Sequence, residues 1–189
     1  MGNDRDLHRI PAAAYASLTA FAASLAFTFA TDVDGTTAVL SVSASVNANC
    51  TISATGLAFG RYEALLANAT APLNAAGALS IACTRGSAPK ITMDLGQYSN
   101  GGRRYMAPGA SPGSDALYYE LYQPPDSTPG TPCSFPGTTP WGMTSAQTFV
   151  PSPPSGRTAR TYSVCGTIPA GQFAPVGSYA DTVVATVNF

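Results

Sequence analysis

Charge is what this sequence has least of. Only 10% of its 189 residues are Asp, Glu, Lys or Arg, against about a quarter in an ordinary soluble domain. The formal net charge is −1 and no more than two like charges stand side by side, so neither a nucleic-acid groove nor a polybasic membrane patch has anything to be built from. Histidine is nearly missing as well: the single His8 falls within the first thirty residues. Beyond that point Ser-His-Asp and Cys-His mechanisms are excluded. No CxxC pair occurs, which together with the missing histidine leaves zinc without its usual ligands. Glycines do not form a phosphate-cradling motif. The carboxylates Glu63, Asp94, Asp115, Glu120, Asp126 and Asp181 are scattered, and no spacing marks two of them as a general acid and base. The chain is not expected to be an enzyme, and no cofactor or metal is called for.

What is present is Ala, Thr, Ser, Gly and Pro in place of Lys and Glu, a bias towards sheet and turn. Residues 1–30 read as a signal peptide: a short polar start, MGNDRDLHRI, precedes an uncharged Ala-rich stretch from Ala12 to Ala30 that ends in TFA. An uncleaved anchor is the alternative, since 19 uncharged residues nearly span a bilayer; no basic stop-transfer residues follow. The expected mature chain is 31–189, exported. Cysteine usage agrees with export, because Cys50, Cys83, Cys133 and Cys165 are an even set in a chain that leaves the cytosol. Three pairings are possible, and chain order suggests Cys50 with Cys83 and Cys133 with Cys165. Each would close a loop of about 30 residues, worth roughly 3–4 kcal/mol in the chain-entropy account.

From Thr36 onward, short alternating runs are separated by Gly, Pro and Asn. AVLSVSASVNANC places Ala38, Leu40, Val42, Ala44, Val46 and Ala48 on one face; LSIACT, PKITMDL, LYYELY, RTYSVCGTI and the closing DTVVATVNF continue the series. Turn signals fall at NAAG, SNGG and PGASPGS. This is the pattern of an all-β sandwich, with no 3.6-residue period long enough for more than a turn of helix. Residues 36–49 fully extended would cover about 45 Å at roughly 3.3 Å per residue, more than twice a typical strand. That excess suggests that the part near Thr36 to Ala44 leaves its own domain to pair with another sheet, while the part near Val46 to Ile52 stays home; a strand that bends or bulges within one domain is the alternative. Residues 123–157 break the pattern, since nine of the 16 prolines lie between Pro124 and Pro154, which disfavours a regular central strand. An ordered, irregular excursion tethered by Cys133 is expected, rather than a linker.

VNANCTIS (46–53), LAFGRYE (57–63), GALSIACTRG (77–86), RRYM with LYYELY, CGTIPAGQ (165–172) and VGSYADTVVATVNF (176–189) occur in one order. Together they resemble the spore coat protein U domain family, which includes subunits of archaic chaperone-usher pili. The resemblance spans nearly all of the chain after residue 31, and its strongest piece is the final GxYxDTVxVTVxF-like run. It implies an incomplete immunoglobulin-like β-sandwich completed by a donor strand from another subunit. It further implies a donor extension at 31–45 and a sandwich domain at 46–189. Leu40, Val42 and Ala44 are then the donor side chains, while Val183, Ala185, Val187 and Phe189 belong to the acceptor or chaperone-facing strand. The implied partners are a periplasmic chaperone that could hold the Phe189 carboxylate, an outer-membrane usher and neighbouring subunits. Nucleic acid is not among them. The implied place is the cell surface, reached through the periplasm, with a part in adhesion and biofilm; a monomeric secreted coat or carbohydrate-binding module is the alternative. Asp181 is read as a turn or strand-start hydrogen-bonding residue, Arg103 and Arg104 as flanking a hairpin. At least half of Tyr118, Tyr119, Tyr122, Phe135 and Trp141 are read as packing rather than as a sugar-binding cluster.

Overall fold

The structure, a computed structural model, describes residues 34–109 and 115–189. The expected signal peptide, the first residues of the extension and most of the PGASPGS turn lie outside the described residues. The chain divides into two units, Met1–Ser43 and Ala44–Phe189. Of the first, residues 34–43 are exposed and carry no regular secondary structure.

The second unit is all-β. Its described residues form seven strands: β1 (Cys50–Thr55), β2 (Leu73–Cys83), β3 (Lys90–Met93), β4 (Arg104–Met106), β5 (Leu117–Tyr122), β6 (Arg160–Ile168) and β7 (Ala185–Asn188). Five make one sheet in the order β1-β2-β6-β5-β4; β3 and β7 make a second, and every pairing is antiparallel. The alternation of the sequence decides which faces meet. Leu79 and Ile81 of β2, Leu117, Tyr119 and Leu121 of β5, and Tyr162, Val164 and Ile168 of β6 are buried against Ile91 and Met93 of β3. Outward residues of the same strands are polar or half-exposed, as one solvated face requires. The immunoglobulin-like sandwich expected from the sequence is the architecture found.

Two expectations need correcting. The home strand expected from near Val46 begins only at Cys50, and residues 46–49 carry no strand. Alternation supplies a face, but a strand also needs a neighbour for its backbone N–H and C=O groups, and among the described residues this stretch finds one only at its end, where Asn49 bonds to Thr84. NAAG is no turn either: Asn74 to Gly77 lie inside β2, paired with Val164 to Thr167. Gly77 serves close approach there, since a Cβ would stand 3.0 Å from the Thr55 carbonyl oxygen and 3.1 Å from the Leu57 Cβ. SNGG does turn the chain, with Gly101 and Gly102 both at positive φ and Asn100 and Arg103 exchanging two backbone hydrogen bonds of 3.0 Å.

Disulfides join Cys50 to Cys83, directly opposite each other in β1 and β2, and Cys133 to Cys165 on β6. The second ties down the Pro-rich excursion, which is irregular and packed. Gln123 N donates to Thr139 O at 2.8 Å and Trp141 N to Leu121 O at 2.8 Å. Farther on, Phe149 and Ile91 exchange bonds of 2.8 and 2.9 Å. Trp141 and Phe149 are both buried in the core, their ring centres 5.3 Å apart. The excursion therefore crosses from β5 to the outer edge of β3 and occupies that edge.

Candidate functional site

With one edge of β3 taken by Phe149 and the other by β7, the second sheet is left, among the described residues, with a single free edge, that of β7. The backbone of the chain leading into β7 is held by residues that follow β3 and β4. Ala107 and Ala180 exchange backbone bonds of 3.0 and 3.1 Å, Gln97 N donates to Thr182 O and Asp94 N to Val184 O, each at 3.1 Å. Across from that edge stands β1, an outer strand of the large sheet, paired only with β2.

Between the two free edges lies an open groove of about 1710 Å3. Small-molecule sites run to roughly 300–1,000 Å3, so this space is of another kind. Its floor is the core itself: Leu79, Met93, Leu117, Tyr119, Leu121 and Val164 all line it, with Ala54 and Thr55 on the β1 side and Val183 and Ala185 on the other. Leu57 and Phe59 of LAFGRYE also reach it, lying over Gly166 of β6, where a Cβ would meet their side chains at 2.7 and 2.8 Å. The loops at one end carry Leu65, Leu66, Phe173 and Val176, all exposed. A row of apolar floor residues beside unpaired backbone is chemically suited to a β-segment with alternating apolar side chains.

Polar residues brace this space. Asp181 accepts from the Tyr119 hydroxyl at 2.6 Å, from Gln97 N at 2.9 Å and from Thr182 N at 2.8 Å. Burial, then the hydrogen bond to Asp181 and its negative charge, pushes the Tyr119 phenol well above its ordinary range. Tyr62 donates to Pro169 O at 2.9 Å and accepts from Gln172 N at 3.0 Å, while the Gln172 amide binds the backbone of Tyr118 in both directions at 2.8 Å. The Tyr of LAFGRYE and the Gln of CGTIPAGQ thus join the two loops at the groove mouth. Arg104 is buried, and its guanidinium pairs with Glu120 and donates to Asp94 O at 2.7 Å and Trp141 O at 2.9 Å. Among the described residues no group of three His, Cys, Asp or Glu could hold a metal.

The residues singled out in the sequence fall in different places. Val183, Ala185 and Val187 are half-buried and packed against the core, while Phe189 is 54% exposed. Leu40 and Val42 are 85% and 86% exposed, and Ala44 is exposed. Tyr119 and Trp141 are core, whereas Phe135 lies at the surface. Arg103 flanks the hairpin and lies over the Tyr118 ring at 5.4 Å. Arg104, read as its equivalent, turns inward instead. Its role had no sequence signal, because Glu120 lies on the outward side of the LYYELY alternation. Leu57 and Phe59 could have been found, as two apolar residues spaced for one face within LAFGRYE.

A sequence model of the Spore Coat Protein U domain matches residues 36–186. Protein U of Myxococcus xanthus is 36% identical over 188 residues, which cover 93% of this chain and 97% of that protein. Among solved structures, the CsuC-CsuE chaperone-tip adhesion subunit pre-assembly complex, from archaic chaperone-usher Csu pili of Acinetobacter baumannii, matches with a TM-score of 0.50 at 22% identity. That match covers 77% of this chain, which spans 40% of the length of the matched chain. At this identity the likeness speaks to the fold.

Proposed function

This chain belongs to the Spore Coat Protein U domain family, and on that premise we propose that it is a structural subunit of a surface pilus, assembled by donor-strand exchange through the chaperone-usher pathway. One observation carries the reading: β7 keeps an unpaired edge beside a groove floored by the hydrophobic core. Left empty, such an edge and floor are an aggregation site. The same chain carries, before its sandwich, an exposed segment with Leu40, Val42 and Ala44 at alternate positions. In the groove of a neighbouring copy, that segment would pair with β7 through its backbone and set its alternate side chains into the floor. Burying a Leu or Val fully is worth roughly 1.5–3 kcal/mol, so the joint would be tight and slow to release.

Before assembly a periplasmic chaperone would fill the groove and bind near Phe189, and an outer-membrane usher would pass the subunit to the surface. Adhesion and biofilm formation are the roles such a fibre would serve. Val183, Ala185 and Val187 supply the acceptor wall. A secreted coat protein that stays monomeric is the second reading, favoured by the identity to Protein U and by the family's description.

Deletion of residues 31–43 separates the two. The shortened chain should fail to polymerise, and a synthetic peptide of residues 36–48 should bind it and protect it from proteolysis. Polymers from the shortened chain equal to those of the intact one, or an intact chain that persists as a stable monomer without any partner, would sink the proposal.

A further inference from the structure

We infer that the Cys50–Cys83 disulfide is a load clamp that guards two subunit joints at once. The inference rests on the donor-strand reading, since it concerns the path that tension takes through an assembled chain. A donor segment held in a neighbour's groove pulls on its own sandwich through residues 45–49, and that pull arrives at Cys50, the first residue of β1. Cys50 lies opposite Cys83 and is bonded to it. The covalent bond therefore meets the load before any of the β1 ladder beyond it.

The strand it protects needs protection. β1 has six residues, most of them exposed, and pairs on one side only. Outside the disulfide just a short backbone contact precedes it, with Thr84 N donating to Asn49 O at 2.8 Å and Asn49 N to Thr84 Oγ1 at 3.1 Å. On the far side of the disulfide stands β2, eleven residues long and paired along both edges, with β1 and with β6. Tension thus passes from a weak outer strand into the middle of the sheet.

The second joint is the groove. Ala54 and Thr55 of β1 form part of its wall, so peeling β1 away would open the seat of the donor arriving from the other neighbour. One bond accordingly holds the root of the outgoing segment and the wall around the incoming one. Cys133–Cys165 binds the excursion to β6 and lies off this path, which makes it an internal control.

The test uses polymers of the full mature chain held at constant force, comparing wild type, C50S/C83S and C133S/C165S. Joints in C50S/C83S polymers should be lost roughly tenfold or more faster, given the constraint that a loop of this size removes. C133S/C165S joints should last within about twofold of wild type by the same rate arithmetic. If C50S/C83S does not assemble, preassembled C133S/C165S polymers are treated with reductant under load, because Cys50–Cys83 is then the sole bond to cut; lifetimes should fall as steeply. Equal lifetimes with and without the Cys50–Cys83 bond, in whichever form is measured, overturn the clamp. Polymerisation of the chain lacking residues 31–43 would instead overturn the donor-strand reading, and the two failures cannot be confused.

Discussion

Replacing Arg104 with Met asks whether charge pins the Pro-rich excursion to the sandwich. Arg104 is 1% exposed, its guanidinium pairs with Glu120, and it donates to the carbonyls of Asp94 and Trp141. Methionine keeps the apolar stem and removes the fork. Glu120, whose side chain is only 18% exposed, is left without its cation, and two carbonyls lose a donor. Hydrogen bonds to charged groups are worth about 1.5–3 kcal/mol each, and breaking a buried ion pair costs about 3–5 kcal/mol. These terms overlap, so the expected loss is about 3–5 kcal/mol. At about 1–3 kcal/mol per molar urea, the unfolding midpoint should fall by roughly 2 M. Trp141 is the single tryptophan and fully buried, and its own carbonyl is one of the acceptors, so its fluorescence reports the event directly. R104M/E120Q should recover much of the loss, because the lone buried carboxylate is the costly species. A shift below about 0.5 M for R104M, or a double variant no more stable than the single one, would refute the reasoning.

Gly96→Ala should destabilise the chain by more than about 1 kcal/mol, because Gly96 has φ +83° and a Cβ would stand 2.0 Å from Asp181 Oδ2; urea unfolding equal to wild type would contradict the Asp181 geometry. In an alkaline spectrophotometric titration, Y119F should remove an ionisation that lies above the ordinary tyrosine range. The folded pKa of Tyr119 lies above its unfolded value of about 10, so its contribution to stability is whole below that pH and is withdrawn as the pH climbs towards the folded value. Alkaline unfolding that is identical with and without the Tyr119 hydroxyl would contradict this linkage.

The sheet faces were legible because alternation is local. LYYELY announces β5 with Leu117, Tyr119 and Leu121 inward, and RTYSVCGTI announces β6 in the same way. Pairing is not local, and the errors follow from that. Residues 38–48 have the side chains of a strand and, among the described residues, no backbone partner to make them one. Asn74 to Gly77 have the composition of a turn, yet β6 and the Leu57 segment on either side hold them straight. The Pro-rich excursion hid Trp141 and Phe149, two core residues whose burial depends on where a chain without periodicity happens to cross. Of the groove, the β7 wall could be read from DTVVATVNF, while its floor and the LAFGRYE contribution required the fold. Arg104 was the hardest residue, since nothing in its surroundings distinguishes it from Arg103 until Glu120, Asp94 and Trp141 converge on it.

The crossing of the excursion from β5 to β3 has a consequence for how copies can stack. One flank of the sandwich is sewn shut, and the thread is rich in proline, a residue that offers no amide hydrogen to an approaching chain. Strand addition to the β3–β7 sheet is thereby confined to its β7 edge. Sheets that accept partners on both flanks spread sideways into plaques and cross-β fibrils; a small sheet open along one edge alone cannot grow that way.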